Sequence, residues 1–230
     1  MKIKSFTVSL FTTVILCFFG VSAFAQKSEI NRIEVFAGYS YDRVSSPYAS
    51  EDLQHIDTII GGTNLNTNLG KSYGMTGGEF SITGNFSKYV GATFDFSTHR
   101  NTRSFTAGTS NITQKYTLSN FLGGIQIKNN KKDGPVAKPF FHALVGVARQ
   151  DVKLTGLAGT LATFFGASQL SEKQTNFAFA VGGGLDVKAH KHVDIRVIQV
   201  DYNPTYIKET EDFSSKYQGN VRLSFGIVIH

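Results

Sequence analysis

The sequence predicts an all-β protein: an eight-stranded antiparallel up-and-down transmembrane β-barrel with long external loops and short periplasmic turns. Three observations lead there. Eight segments alternate apolar and polar residues with a period of two, their connections alternate long and short, and an export leader precedes them.

The leader comes first along the chain. Lys2 and Lys4 form a basic start, an apolar stretch runs from about Phe6 to Val21, and Ala23-Phe24-Ala25 puts small residues where a signal peptidase reads. The chain therefore divides into a cleaved signal peptide, 1–25, and a barrel, 26–230. An uncleaved N-terminal anchor is the alternative. A lipid anchor on Cys17 is disfavoured by Leu16, which stands where a small residue is wanted. Cleavage removes the only cysteine, so the mature part has neither a disulfide nor a thiolate, and its fold holds without covalent staples. Loss of Lys2 and Lys4 lowers the formal charge from +6 to +4. That small, scattered excess suits a surface beside anionic lipid and argues against a nucleic-acid footprint, which would concentrate charge in one stripe. No later stretch reaches roughly 18 uninterrupted apolar residues, so no membrane helix is expected after the leader.

The first strand, 31–43, sets Ile33, Val35, Ala37, Tyr39 and Tyr41 against Glu34, Phe36, Gly38, Ser40 and Asp42. In 73–86, Gly78, Phe80, Ile82, Gly84 and Phe86 oppose Glu79, Ser81, Thr83 and Asn85, and in 90–100 Ala92, Phe94 and Phe96 oppose Thr93, Asp95 and Ser97. In 114–128 the outward set is Phe121, Ile125 and Ile127, opposite Gly124, Gln126 and Lys128. In 137–150 Phe141, Ala143, Val145 and Val147 face out, while Phe140, His142, Leu144, Gly146 and Ala148 face in. The segment 174–188 sets Phe177, Phe179, Val181, Leu185 and Val187 against Asn176, Ala178, Ala180, Asp186 and Lys188. In 193–202 Val193, Ile195 and Val197 oppose Asp194 and Arg196, and past Ile198 the parity fails as at a bulge, leaving Gln199 to Tyr202 unassigned. The last strand, 219–230, sets Val221, Leu223, Phe225, Ile227 and Ile229 against Arg222, Ser224 and Gly226.

Between these segments lie intervals of about 29, 3, 13, 8, 23, 4 and 16 residues. A membrane barrel with both termini in the periplasm sorts its connections in this way, whereas a soluble sandwich has no reason to. Tyr39, Tyr41, Tyr73, Tyr89, Tyr116 and Tyr202 fall near strand ends and are expected to form the interfacial girdle, in a chain without Trp.

Four runs carry a family resemblance: 77–97, 138–149, 177–205 and 220–230. Their most specific pieces are Thr83-Gly84-Asn85-Phe86, Gly182-Gly183-Gly184-Leu185-Asp186-Val187, and Arg196-Val197-Ile198-Gln199 followed by Asp201-Tyr202. The chain resembles porin-family, OmpA-like outer-membrane barrel domains of an acidobacterial-type family. That resemblance implies eight strands in the outer membrane and no agreed activity. It also implies a closing signal for the assembly machinery, matched by Ser224, Gly226 and Ile229, with the terminal aromatic expected one residue beyond His230.

An eight-stranded barrel has an interior that side chains fill. The inward positions carry Glu34, Glu79, Asp95, Gln126, His142, Asp186, Arg196 and Arg222, expected to pair into a hydrogen-bonded network, since isolated buried charges are costly. That network either plugs and stiffens the barrel or, in a narrow pore, switches partners. No catalytic, metal or cofactor residue is assigned. Ser97 and His99 form the best dyad candidate, and a lone His–Ser pair is common by chance. His190 and His192 read as a solvated turn, and the glycines at 123–124 and 182–184 leave room for large neighbours or allow bending. Glu209, Glu211 and Asp212 bind a cation or are simply solvated. Arg43, Lys71, Arg100, Arg103, Lys115, Arg149 and Lys153 form a basic external rim suited to lipopolysaccharide phosphates. The interval 151–173, with Leu157, Leu161, Phe164, Phe165 and Leu170, is unusually apolar for a loop.

The expectation is thus a non-enzymatic outer-membrane barrel with an envelope-structural, adhesive or small-solute role. It is a monomer without cofactor or nucleic acid, and its partners are outer-membrane lipid, lipopolysaccharide and, during insertion, the barrel-assembly machinery. A narrow porin, a lipid-modifying enzyme and a soluble lipocalin-like carrier are the alternatives. The carrier would place its apolar face inside.

Overall fold

The computed structural model describes residues 29–45, 72–107, 110–158, 163, 166, 169–207 and 216–230. The expected leader, 1–25, lies outside the described residues, as do Lys71, Leu161, Phe164, Phe165, Glu209, Glu211 and Asp212.

Among the described residues ten strands form: β1 (Ile33–Val44), β2 (Tyr73–Asn85), β3 (Val90–Ala107), β4 (Ser110–Lys128), β5 (Ala137–Thr155), β6 (Gln169–His190), β7 (Val193–Tyr202), β8 (Thr205–Ile207), β9 (Lys216–Gln218) and β10 (Asn220–Ile229). Eight of them close an antiparallel ring in the order β1-β2-β3-β4-β5-β6-β7-β10, and β10 returns to β1. The remaining two continue the last hairpin: β8 pairs with β6 and with β9. Pro204, which has no N–H to give the ladder, separates β8 from β7.

The register fixes the size of the ring. Stepping from Ile33 through Gly84, Ala92, Ile125, Ala143, Val181, Tyr202 and Val221 returns to β1 at Arg43, ten residues on. Eight strands with that stagger, 3.3 Å rise and 4.8 Å separation tilt by about 41° on a radius of about 8 Å. Such a cylinder holds side chains and little else.

At one end, called here the turn end, the connections match the intervals read from the sequence. Ser87 closes the β2–β3 turn, its hydroxyl oxygen accepting from the Val90 N–H at 2.9 Å. Lys191 and His192 make the β6–β7 turn, with both histidines exposed. The segment before β1 crosses to the β4–β5 turn, where Ile30 pairs with Lys131.

At the other end the expected loops are shorter and the strands longer. β3 and β4 run on as a ladder to Ala107 and Ser110, and β5 and β6 to Thr155 and Gln169. The interval expected as a loop over 151–173 is therefore strand at both its ends. Outward residues there change from Phe and Val to Thr, Ser, Lys and Arg, so the apolar alternation disappears while β-branched threonines keep the backbone extended.

Two girdle tyrosines face the other way. Tyr73 and Tyr116 lie inside, edge to face at 5.9 Å, because they share strand parity with Glu79 and with Leu118 and Leu122. Tyr39, Tyr89 and Tyr202 are outward and exposed. The interior is layered. A small apolar layer holds Val44, Tyr73, Met75, Tyr116, Leu118, Leu122 and Leu144 near the long-strand end, and below it polar and charged inward residues predominate, with Phe36, Phe140 and Val228 among them.

Candidate functional site

The outward row of the ring is apolar: Phe80, Phe94, Phe121, Phe141, Val145, Phe177, Ile195, Phe225 and Ile227 are all exposed, Val145 by 60%. Rings meet across strands, with Phe96 and Phe121 at 5.0 Å and Tyr39 and Phe225 at 5.3 Å. The inward row carries the charge, an order opposite to that of a soluble carrier.

All eight polar positions singled out from the sequence, Glu34, Glu79, Asp95, Gln126, His142, Asp186, Arg196 and Arg222, are buried. Seven of them fall into two groups. Near the turn end, Lys128 bonds both Glu34 and Asp186. Arg196 forks onto Asp186 at 2.8 and 3.1 Å. Its guanidinium lies between the rings of Phe36 and Phe140, 4.2 and 4.1 Å from their centroids, which holds the fork flat. Lys138 adds an ion pair with Asp194 at 2.7 Å.

The second group sits mid-barrel around Arg222, whose side chain is fully buried. It donates to Asp95 at 2.9 Å, to Asp201 at 2.7 and 3.0 Å and to Ser97 at 2.9 Å, with Glu79 at 3.5 Å. His142 bonds the other oxygen of Asp201 at 2.7 Å. Ser224 donates its hydroxyl proton to Glu79 at 2.5 Å, and its oxygen lies 2.9 Å from the Ser40 hydroxyl, from which it can accept. Asp42 stands cross-strand from Arg222, buried and without a hydrogen-bond partner among the described groups. Gln126 is the expected member left apart: its amide nitrogen is buried without a partner.

Gln199 joins the two groups. Its carbonyl oxygen accepts from Arg196 at 2.6 Å, and its amide donates to Glu79 and Asp201 at 2.7 Å each. Sequence parity left Gln199 and Asp201 unassigned. The reason is a bulge at Val197-Ile198: both are exposed, and the register shifts against β6 and β10 at this point. Two adjacent apolar residues between Arg196 and Gln199 were the available signal. Lys128, Lys138, Asp194 and Ser40 also belong to the lattice and were not singled out.

Glycines let two bonds span an intervening strand. His142, Gly182 and Asp201 form one cross-strand row, and a Cβ on Gly182 would come within 2.1 Å of Asp201 Oδ1. Ser40, Gly77 and His99 form another, bridged by a 2.8 Å bond between His99 and Ser40.

That bond decides the Ser97–His99 question. His99 is buried in the lumen on Ser40, while Ser97 accepts from Arg222 and Asn120. The two are therefore not assembled as nucleophile and base, and His99 lies inside the barrel. Arg103 also turns inward, onto Gln114 and over the Tyr73 ring at 3.9 Å. Arg43, Arg100, Lys115, Arg149 and Lys153 are exposed. Among the described residues, no group of three or more His, Cys, Asp and Glu is placed to hold a metal ion.

No family model matches the chain, and no curated protein does. Several solved structures are similar. Ail, the attachment invasion locus protein of Yersinia pestis, is 16% identical with a TM-score of 0.49, covering 87% of this chain and 99% of that one. Neisserial surface protein A is 13% identical with a TM-score of 0.47, covering 88% and 99%. The outer membrane protease OmpT of Escherichia coli is 9% identical with a TM-score of 0.45, covering 90% and 99%. The chain shares with them the fold alone, an eight-stranded antiparallel ring resembling small outer-membrane barrels.

Proposed function

We propose that the protein is a monomeric, non-enzymatic barrel of the bacterial outer membrane, exported with cleavage after residue 25 and inserted by the assembly machinery. In this reading it belongs with the porin-family, OmpA-like domains its segments resemble, and it serves an envelope-structural or adhesive role. One observation carries the reading: a closed ring with an apolar, aromatic outer face and an interior crossed by ion pairs from Lys128 to Arg222. Closure leaves no backbone edge in lipid, which is the condition for crossing a bilayer with strands. An outer face so apolar has no stable place in water.

The same lattice speaks against an open channel. Paired charges drawn from all eight ring strands occupy the lumen, on a radius side chains alone fill. The long ladders of β3 to β6 then present the surface that meets partners.

Fractionation of the host, with gel mobility of the detergent-folded protein before and after boiling, tests this. A heat-dependent shift in the outer-membrane fraction is the expected result. A soluble periplasmic protein with no shift would overturn it.

A further inference from the structure

The outward face of β3 to β6 changes character along one line. Phe96, Phe121, Val147 and Phe177 form a single cross-strand apolar row. Two residues further along each strand, Arg149 appears between Ser119 and Thr175. In the next outward row Arg100 and Lys173 flank Thr117 and Asp151, and in the one after it Lys115 and Lys153 stand directly opposite each other. Five cations thus face one carboxylate, and Lys173 already holds that carboxylate at 3.7 Å. On β1, β2, β7 and β10, Arg43 is the only charged residue at the outward positions among the described residues. The band is one-sided.

Like charges placed directly cross-strand are destabilising, and a serine or threonine would do at those positions, as Ser104 and Thr113 show by hydrogen-bonding across the next pair at 3.0 Å. Neither Lys115 nor Lys153 has a carboxylate partner among the described residues. Opposed ammoniums about 5 Å apart at Cβ make a cradle for one phosphate, which accepts from both. With the strand tilt derived above, the cations lie about 5 to 15 Å beyond the apolar row, within reach of headgroups for side chains that extend along the wall.

We propose that this band is a binding site for a phosphorylated glycolipid of the outer leaflet, with Lys115 and Lys153 clamping one phosphate and the Phe96–Phe177 row covering its acyl chains. The inference rests on the membrane reading above and deepens it, by giving the lipid a face of the barrel and a pair of residues.

The test uses the folded protein in detergent, with bisphosphorylated lipid A and the same lipid stripped of phosphate, read by native mass spectrometry. Wild-type protein should prefer the phosphorylated lipid by about tenfold or more. The double variant K115Q/K153Q should lose that preference, and K132Q/K191Q at the turn end should keep it. Without lipid, K115Q/K153Q should melt no lower than wild type, because it removes a repulsion. A preference that survives in K115Q/K153Q overturns the proposal. So does equal affinity for a soluble sulfated glycan without acyl chains, which would make the band a polyanion site. The heat-dependent gel shift, measured on each variant, separates loss of the clamp from loss of the fold. Its absence in wild type would remove the membrane reading itself.

Discussion

Replacing Arg222 with methionine is the sharpest test of the lumen. Methionine keeps most of the length and loses the charge, so Asp95, Asp201 and Glu79 would share a dry space in which the guanidinium that joins all three is gone. Breaking one buried pair by removing a partner costs about 3–5 kcal/mol, and here one guanidinium serves three carboxylates, so the upper part of that range, about 4–5 kcal/mol, is expected. Lysine at this position keeps a point charge but cannot fork between Asp95 and Asp201, and should recover only part of the loss, leaving about 2 kcal/mol. The double variant R222M/D95N removes one orphaned carboxylate and should be more stable than R222M by about 1–2 kcal/mol, a coupling between residues in contact. Urea unfolding of the micelle-folded protein, followed by circular dichroism and by the fraction of gel-shifted band, measures all three. A wild-type midpoint for R222M, or no recovery in R222M/D95N, would refute the claim that these groups are dry and paired.

The remaining predictions use the same assays. Arg196→Ala should destabilise the barrel by about 3–5 kcal/mol, since Asp186 would keep only Lys128 and two aromatic rings would lose their filling; an unchanged midpoint counts against the turn-end group. Gly182→Ala puts a methyl group where Asp201 and the Val200 carbonyl stand, and should cost about 1–3 kcal/mol, while Gly84→Ala, with open space at its Cβ, should cost less than about 1 kcal/mol. Removing 158–168, beyond the last paired residues of β5 and short of Gln169, should leave the heat-dependent shift intact; its loss would make the segment part of the fold. In planar bilayers the wild-type protein should show no steady open conductance, and a large constant current would displace the plugged reading in favour of a pore.

Much of the ring was legible because its period is two and its turns are chemical. At the turn end, strand limits sit where Ser87, Gly134-Pro135 and Lys191-His192 interrupt the alternation, within a few residues of the expected places. At the far end the reading stopped too early for a physical reason. Outside the apolar zone a strand no longer needs apolar outward residues, so Thr102, Ser104 and Thr106 look like loop while their backbones stay laddered to β4. The same loss of contrast hid Tyr73 and Tyr116, which were placed by nearness to strand ends when parity with Glu79 and Leu118 would have turned them inward. Parity, for its part, failed only where the backbone itself adds a residue, at Val197-Ile198.

Which residues face inward is a property of each strand, but which of them meet is a property of the whole ring. Arg222 on β10 reaches Asp95 on β3 across β1 and β2, and Gln199 on β7 reaches Glu79 on β2, pairs separated by 127 and 120 residues. These meetings depend on the ten-residue stagger, since any other stagger would slide β3 past β10 and bring a different row to Arg222. They depend equally on what is missing. Gly77 and Gly182 stand in the rows that His99 and His142 must cross, and any side chain there would block the bond while preserving every feature of the alternation. A sequence with alanine at both positions would therefore predict the same barrel and lack both of those cross-lumen bonds. The glycines that look like weakness in a strand are, inside this ring, the positions that decide which charges find each other.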